Sequence, residues 1–235
     1  MSFVLYHNIS LGYAVLNKPS GIDTYGFVTD SSKTILNLFR CVDPTGQRIV
    51  KIDNAYPVHR LDKPTSGCLV VGVNRSARRR LAGSLLKHKI TKKYLAVLWG
   101  MPAQRQGIID APLSEERVAT NNNGYSFIRV NSECGKPSRT AFKVLSYDGC
   151  YCFVELSPLT GRTHQLRVHC AHIGCPIVGD PWYPTPQNQG RALHLHAHKI
   201  AMPQEIFGGV EISAALPSHM LGTLKNIPLG HVTFK

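Results

Sequence analysis

Residues 140–158, TAFKVLSYDGCYCFVELSP, read as two strands folded back on each other. Both arms are rich in β-branched and aromatic residues. Asp148-Gly149 between them is a strong hairpin signal, because a two-residue turn needs residues that accept positive φ. A tight hairpin forces antiparallel pairing, so this stretch sets the class of the sheet.

Working outward, TKKYLAVLWG (91–100) is a strand that stops at Gly100 and Pro102, and CLVVGVN (68–74) has the continuous apolar character of a buried strand. LGYAVLNK (11–18) is a third, halted by PSG at 19–21, and ALHLHAHKI (192–200) a short fourth. Helical spacing occurs in three places. KTILNLF follows a cap at Ser31 or Ser32, with Ile35, Leu36 and Phe39 on one side. ARRRLAGSLLKHK follows a cap at Ser76, with Ala77, Leu81, Leu85 and Leu86 as its apolar stripe and Arg78, Arg79, Lys87 and Lys89 opposite. The third begins near Thr163, carries Leu166, Cys170 and Ile173, and ends at Gly174. Residues 104–135 are polar and rich in Asn and Gly, the weakest candidate for core, and read as a hairpin or an insertion.

No repeat, linker or heptad run divides the chain, so a single domain over residues 1–235 is expected. The expected fold class is α+β: a mixed, largely antiparallel central sheet flanked by helices.

Lys and Arg number 27 against 14 Asp and Glu, a formal charge of +13, which favours a polyanionic partner such as nucleic acid. No apolar run approaches the roughly 20 residues of a membrane span, so no membrane partner is expected. The start, MSFVLYHNIS, lacks a basic secretory n-region and the arginines of a mitochondrial leader. The seven cysteines are odd in number and without paired spacing, as in a reduced, intracellular protein. A cytoplasmic location is expected, with mitochondrial and nuclear locations as alternatives.

Several chemistries have little or no support. There is no GxxxxGK[ST], GxGxxG or GxSxG, and no CxxC. His194, His196 and His198 alternate along one strand, and His164, His169 and His172 lie on or near one helix. Three neighbouring imidazoles can bind zinc, but neither set has a carboxylate pattern such as HExxH, so packing and hydrogen bonding are the preferred reading.

What remains is Asp62 in HRLDKPTSG, Tyr94 in KKYLAV and Arg167 in TGRTHQLRVH. Singly, each has a structural explanation: a turn, a core ring, a surface cation. Together with VLNKPSG, VHRLDKPTSGCLVVG, TKKYLAVLWG, SPLTGRTHQLRVHCAHIGCPIVGDPWY and LHAHKI, in that order, they resemble the RluA-type family of RNA pseudouridine synthases. The resemblance covers most of the chain.

It implies an isomerase that converts uridine in tRNA or rRNA to pseudouridine without metal or other cofactor. Asp62 is then the catalytic aspartate, Tyr94 lies against the target base and assists proton removal, and Arg167 pairs with Asp62. Arg60 is associated with displacing the base, Leu166 packs in the site, and His164 and Gln165 are expected to contact substrate. An N-terminal S4 domain, common in the family, is not expected, because the resemblance begins near residue 5. A monomer is expected. The alternative is a catalytically inactive RNA-binding or RNA-folding protein of the same fold.

Overall fold

The computed structural model describes residues 3–25, 55–118, 125–183, 190–225 and 227. The helix expected over KTILNLF lies outside the described residues. The chain forms two compact units, Met1–Lys92 with His196–Pro217, and Lys93–Leu195 with Ser218–Phe234.

In the first unit β1 (Val4–Asn8) pairs antiparallel with β2 (Tyr13–Lys18), and β2 pairs antiparallel with β4 (Ser66–Gly72). All seven positions of β4 are buried, as its unbroken apolar run requires of a strand covered on both faces. The short β3 (Tyr56–Pro57) pairs with the end of β4, Tyr56 opposite Gly72. The one parallel pairing among the described strands of this unit joins β4 to β11 (Leu195–Ala201), with His196 opposite Ser66. β12 (Glu211–Ser213) pairs antiparallel with β11.

Helix α1 (Arg75–Leu86) buries Ala77 and lays Leu81 onto a core that includes Tyr13, Val70, Ile200 and Phe207, with Leu85 partly buried against it. Its cap is Asn74, not Ser76. Asn74 has extended backbone angles and its Oδ1 accepts from the Ala77 amide at 2.8 Å, satisfying a donor of the first turn. Leu86 stands exposed because Leu85, four residues after Leu81, already completes the stripe.

In the second unit β5 (Thr91–Trp99) pairs antiparallel with β10 (Tyr151–Pro158), β10 with β9 (Arg139–Tyr147), and β9 with β6 (Gln106–Asp110). The hairpin turns where expected: Asp148 Oδ1 accepts from the amides of Cys150 and Tyr151, at 2.8 and 2.6 Å. β7 (Leu113–Val118) and β8 (Tyr125–Val130) form a separate antiparallel pair.

Residues 104–135 are therefore mostly strand, and they are not peripheral to the core. Leu113 and Ile128 pack with Val168 of α2 (Gln165–His172) and with Tyr183. The polar residues between them hid this, since a strand with one solvated face shows few apolar positions. Helix α2 starts two residues later than expected, at a cap His164 whose φ is +52°. The short helices α3 (Gln204–Phe207) and α4 (Ser218–Leu224) complete the described elements.

The fold class is α+β with a mixed, mostly antiparallel sheet. No helix among the described residues is long and apolar enough to cross a membrane. Of the seven cysteines, Cys68, Cys134, Cys150, Cys152, Cys170 and Cys175 are free thiols.

Gly67 makes the parallel pairing possible. Its φ is +107°, and a Cβ there would lie 2.3 Å from the Ala197 carbonyl oxygen. Gly67→Ala is expected to lower the unfolding free energy by about 2 kcal/mol or more, from a strained φ and a backbone clash together. The urea midpoint of the two proteins measures it.

Candidate active site

The candidate residues fall in both units. Asp62 and Arg60 belong to the first; Tyr94, His164, Gln165, Leu166 and Arg167 belong to the second.

The loop that carries Asp62 is held at each of its neighbours. His59 Nε2 accepts the Val70 amide at 3.0 Å, so the ring is neutral at that nitrogen. Desolvation first, and then the Lys92 charge, push its pKa down to about 3. Leu61 is buried, and Thr24 Oγ1 both accepts from its amide and donates to its carbonyl. The Asp62 carbonyl accepts from the Thr65 amide at 2.9 Å, closing a turn over Lys63-Pro64. Arg60 is exposed between two anchored residues, and the Asp62 residue is half-buried.

Lys18, to which sequence reasoning gave no role, fastens this turn. Its side chain is fully buried at the end of β2, and Nζ donates to the carbonyls of Pro19, Ile22 and Lys63 at 3.0, 2.6 and 3.1 Å. Three acceptors match the three N–H donors of an ammonium. Burial pushes the Lys18 pKa down to about 8, against the opposing pull of Asp23 and then Asp62. Asp62 thus sits in the field of a buried cation. The adjacent Lys63 turns outward and pairs with Asp23 at 3.1 Å on the surface.

In the second unit Tyr94 lies on β5 opposite Leu156, 8% exposed. Arg167, read from sequence as a possible surface cation, is 1% exposed. Its Nε and Nη2 each donate to an oxygen of Asp180 at 2.7 Å, a bidentate pair in which neither side chain meets solvent. Asp180 Oδ1 also accepts from the amides of Trp182 and Tyr183. The Tyr183 ring lies beside the guanidinium, 5.4 Å from centroid to Cζ, and its hydroxyl donates to the Ile128 carbonyl.

Gly179 sets the entry of Asp180. Its φ is +77°, and a Cβ there would collide with the Ala192 carbonyl. Asp180 was not singled out from sequence, although it stands in the quoted GDPWY. A lone acid after the apolar run PIV was the available signal.

The other expected contacts differ in character. Gln165 Oε1 accepts from Thr160 Oγ1 and the Arg162 amide, and Nε2 donates to the Arg139 carbonyl and Thr140 Oγ1. The four positions of its amide are filled within the protein, so the geometry makes it a positioning residue rather than the substrate contact expected. His169 completes the chain: Thr140 Oγ1 is 2.9 Å from its Nδ1, and its Nε2 donates to the Ala111 carbonyl. Leu166 is buried at 7%. His164 keeps partial exposure, with Nδ1 3.2 Å from the Tyr183 hydroxyl and its ring in a T-shaped arrangement with Trp182.

Of the imidazoles considered for zinc, the alternating three are engaged in hydrogen bonds, His194 to Thr223, His196 to Ser66, and His198 to the Ala214 carbonyl. Among the described residues no three His, Cys, Asp or Glu side chains are grouped to hold a metal ion.

Two outcomes test this geometry. Asp180→Asn removes the charge of the carboxylate to which the buried Arg167 Nε and Nη2 donate, and a loss of about 3 kcal/mol or more is expected in urea unfolding. For Lys18, a folded pKa below the unfolded value of 10.5 means a contribution fully present above pH 10.5 and lost as pH falls through about 8. Stability of wild type relative to Lys18→Met is therefore expected to rise between those two pH values, as read from paired denaturation curves.

Comparison with known proteins agrees over most of this chain. The family model for RNA pseudouridylate synthase matches residues 12–172. The dual-specificity RNA pseudouridine synthase RluA of Yersinia pestis is 35% identical over 198 residues, covering 83% of this chain and 89% of that protein. Its Escherichia coli counterpart is 33% identical over 202 residues, 83% of this chain and 84% of that protein. The solved structure of human RNA pseudouridylate synthase domain containing 4 superposes with a TM-score of 0.74 at 24% identity, over 95% of this chain and 92% of that one, a likeness of fold. The chain belongs to the RluA-type RNA pseudouridine synthases, isomerases that convert uridine in RNA to pseudouridine.

Proposed function

We propose that Asp62 supplies the carboxylate for this isomerisation, acting on a uridine in structured tRNA or rRNA. The observation that carries the reading is the mounting of Asp62: a half-buried acid on a turn fixed by Lys18, Thr24 and His59. It is also the single acid between residues 55 and 92, against nine Lys and Arg: 60, 63, 75, 78, 79, 80, 87, 89 and 92.

The reaction breaks the bond from uracil N1 to ribose C1′, turns the base, and joins C5 to C1′. Bond breaking leaves positive character on the ribose, which an ionised carboxylate stabilises or captures. The uracil leaves as a delocalised anion and is reattached, so one carboxylate suffices where a glycosidase uses two. The C5 proton must then leave, and Tyr94 is the proposed carrier, directly or through water.

Two cations serve the Asp62 carboxylate in this scheme. Lys18 contributes from beneath its turn. Arg167 is the proposed guanidinium partner; the fork has five donors, enough for Asp180 and a second carboxylate. A uridine in folded RNA must be turned out first, at a few kcal/mol, and the exposed Arg60 is proposed to occupy the vacated space. The two RluA relatives above are named dual-specificity RNA pseudouridine synthases, which supports RNA as the substrate class.

Asp62→Asn tests the assignment, since it removes the charge and keeps the shape. Pseudouridine formation on total tRNA and rRNA is expected to fall below detection, with RNA affinity within about twofold of wild type because phosphate contacts dominate it. Turnover at the wild-type rate would remove Asp62 from the mechanism.

A further inference from the structure

We propose that Tyr56, backed by Arg78, is a stacking platform for an unpaired nucleobase of the RNA beside the target uridine. The proposal rests on RNA as substrate and adds a subsite to it.

Tyr56 is a large aromatic side chain left 46% exposed on the short strand β3. The Arg78 guanidinium lies over its ring, 4.5 Å from the centroid. Arg78 reaches it from α1 across Gly72, where any Cβ would stand 2.6 Å from Arg78 Cγ, so the arginine stem uses the room a side chain would fill. The placement has a cost in hydrogen bonding: Arg78 Nε is buried and has no partner among the described residues. A surface arginine is free to swing into water, and this one gives up a donor to lie on the ring. That argues against a loosely solvated cation.

A second ring stands close by. Tyr25, 51% exposed, donates from its hydroxyl to the carbonyl of Pro57, the other residue of β3, at 3.0 Å. The charge of Arg60 acts on that hydroxyl, opposing the upward push that burial gives its pKa. Two exposed rings, Tyr25 and Tyr56, are thus each accompanied by an arginine, Arg60 and Arg78.

Such a combination suits a nucleic acid strand, in which bases stack on aromatic faces while guanidinium groups meet phosphates. An acidic protein surface would use the charges and leave the rings without purpose. Asp62 stands six positions after Tyr56, a span of at most ~20 Å of extended chain. The platform is thus within a few nucleotides of the proposed reaction centre.

The test compares two probes of equal length and charge, an oligouridylate and an abasic ribose-phosphate oligomer, binding to the full chain by fluorescence anisotropy. Tyr56→Ala is expected to weaken the oligouridylate by about tenfold, the loss of one stacked base, and to leave the abasic oligomer unchanged. Tyr56→Phe keeps the ring and is expected to bind both like wild type. Equal losses on both probes would assign Tyr56 to general polyanion attraction or to folding, and no loss on either would deny it any role; each overturns the platform. None of these readings needs turnover, so they stand apart from the outcome for Asp62→Asn.

Discussion

A buried ammonium must be ringed by acceptors or lose its proton, and the loop geometry of the first unit follows from that requirement at Lys18. Its three acceptors are backbone carbonyls from two separate segments, Pro19 and Ile22 on one side and Lys63 on the other. Strand β2 fixes the base of the lysine, so the ammonium fixes the turn that follows Asp62. A backbone bond from the Gly21 amide to the Lys63 carbonyl and a side-chain bond from Ser20 Oγ to the Pro64 carbonyl reinforce the same joint. The result is a carboxylate on a turn with little freedom, in the field of a cation that solvent does not screen. Removing that cation would loosen the turn and weaken the field together.

The second unit solves a related problem differently. Arg167 is as buried as Lys18, but its charge is met by a carboxylate, Asp180, whose remaining capacity is taken up by backbone amides. A pair of this kind is seldom a source of net stability, because both ions have left water. What it secures is orientation. The guanidinium plane is set by two short bonds and the neighbouring Tyr183 ring, and the helix beneath it is tied down by the Gln165–Thr140–His169 chain.

Much of this was legible in residue order. The hairpin at Asp148-Gly149, the strands on either side and the stop of α2 at Gly174 follow from turn chemistry and apolar periodicity, which are local. Asp62, Tyr94 and Arg167 stood out as polar residues at the edges of apolar runs. Other features escaped because their signals are not local. Asn74 displaced Ser76 as a cap through backbone angles that no composition reports, and Leu113 and Ile128 entered the core because α2 lies against them. Gln165 looked like a substrate contact until Thr140, Arg139 and Thr160, from other segments, claimed its amide.

By itself the sequence determined the α+β class, the strong positive charge, the family and the acid at the centre of the HRLD stretch. These depend on neighbours along the chain and on motif order, which sequence records directly. The tertiary structure alone decided that Lys18 fastens the turn after Asp62, and that Arg167 is a buried ion held in a bidentate pair by Asp180. It also decided that Tyr56 and Arg78 meet across Gly72. Each of these is a partnership between residues that are separated along the chain and joined by burial, where an unpaired charge is expensive and its partner must be found in space.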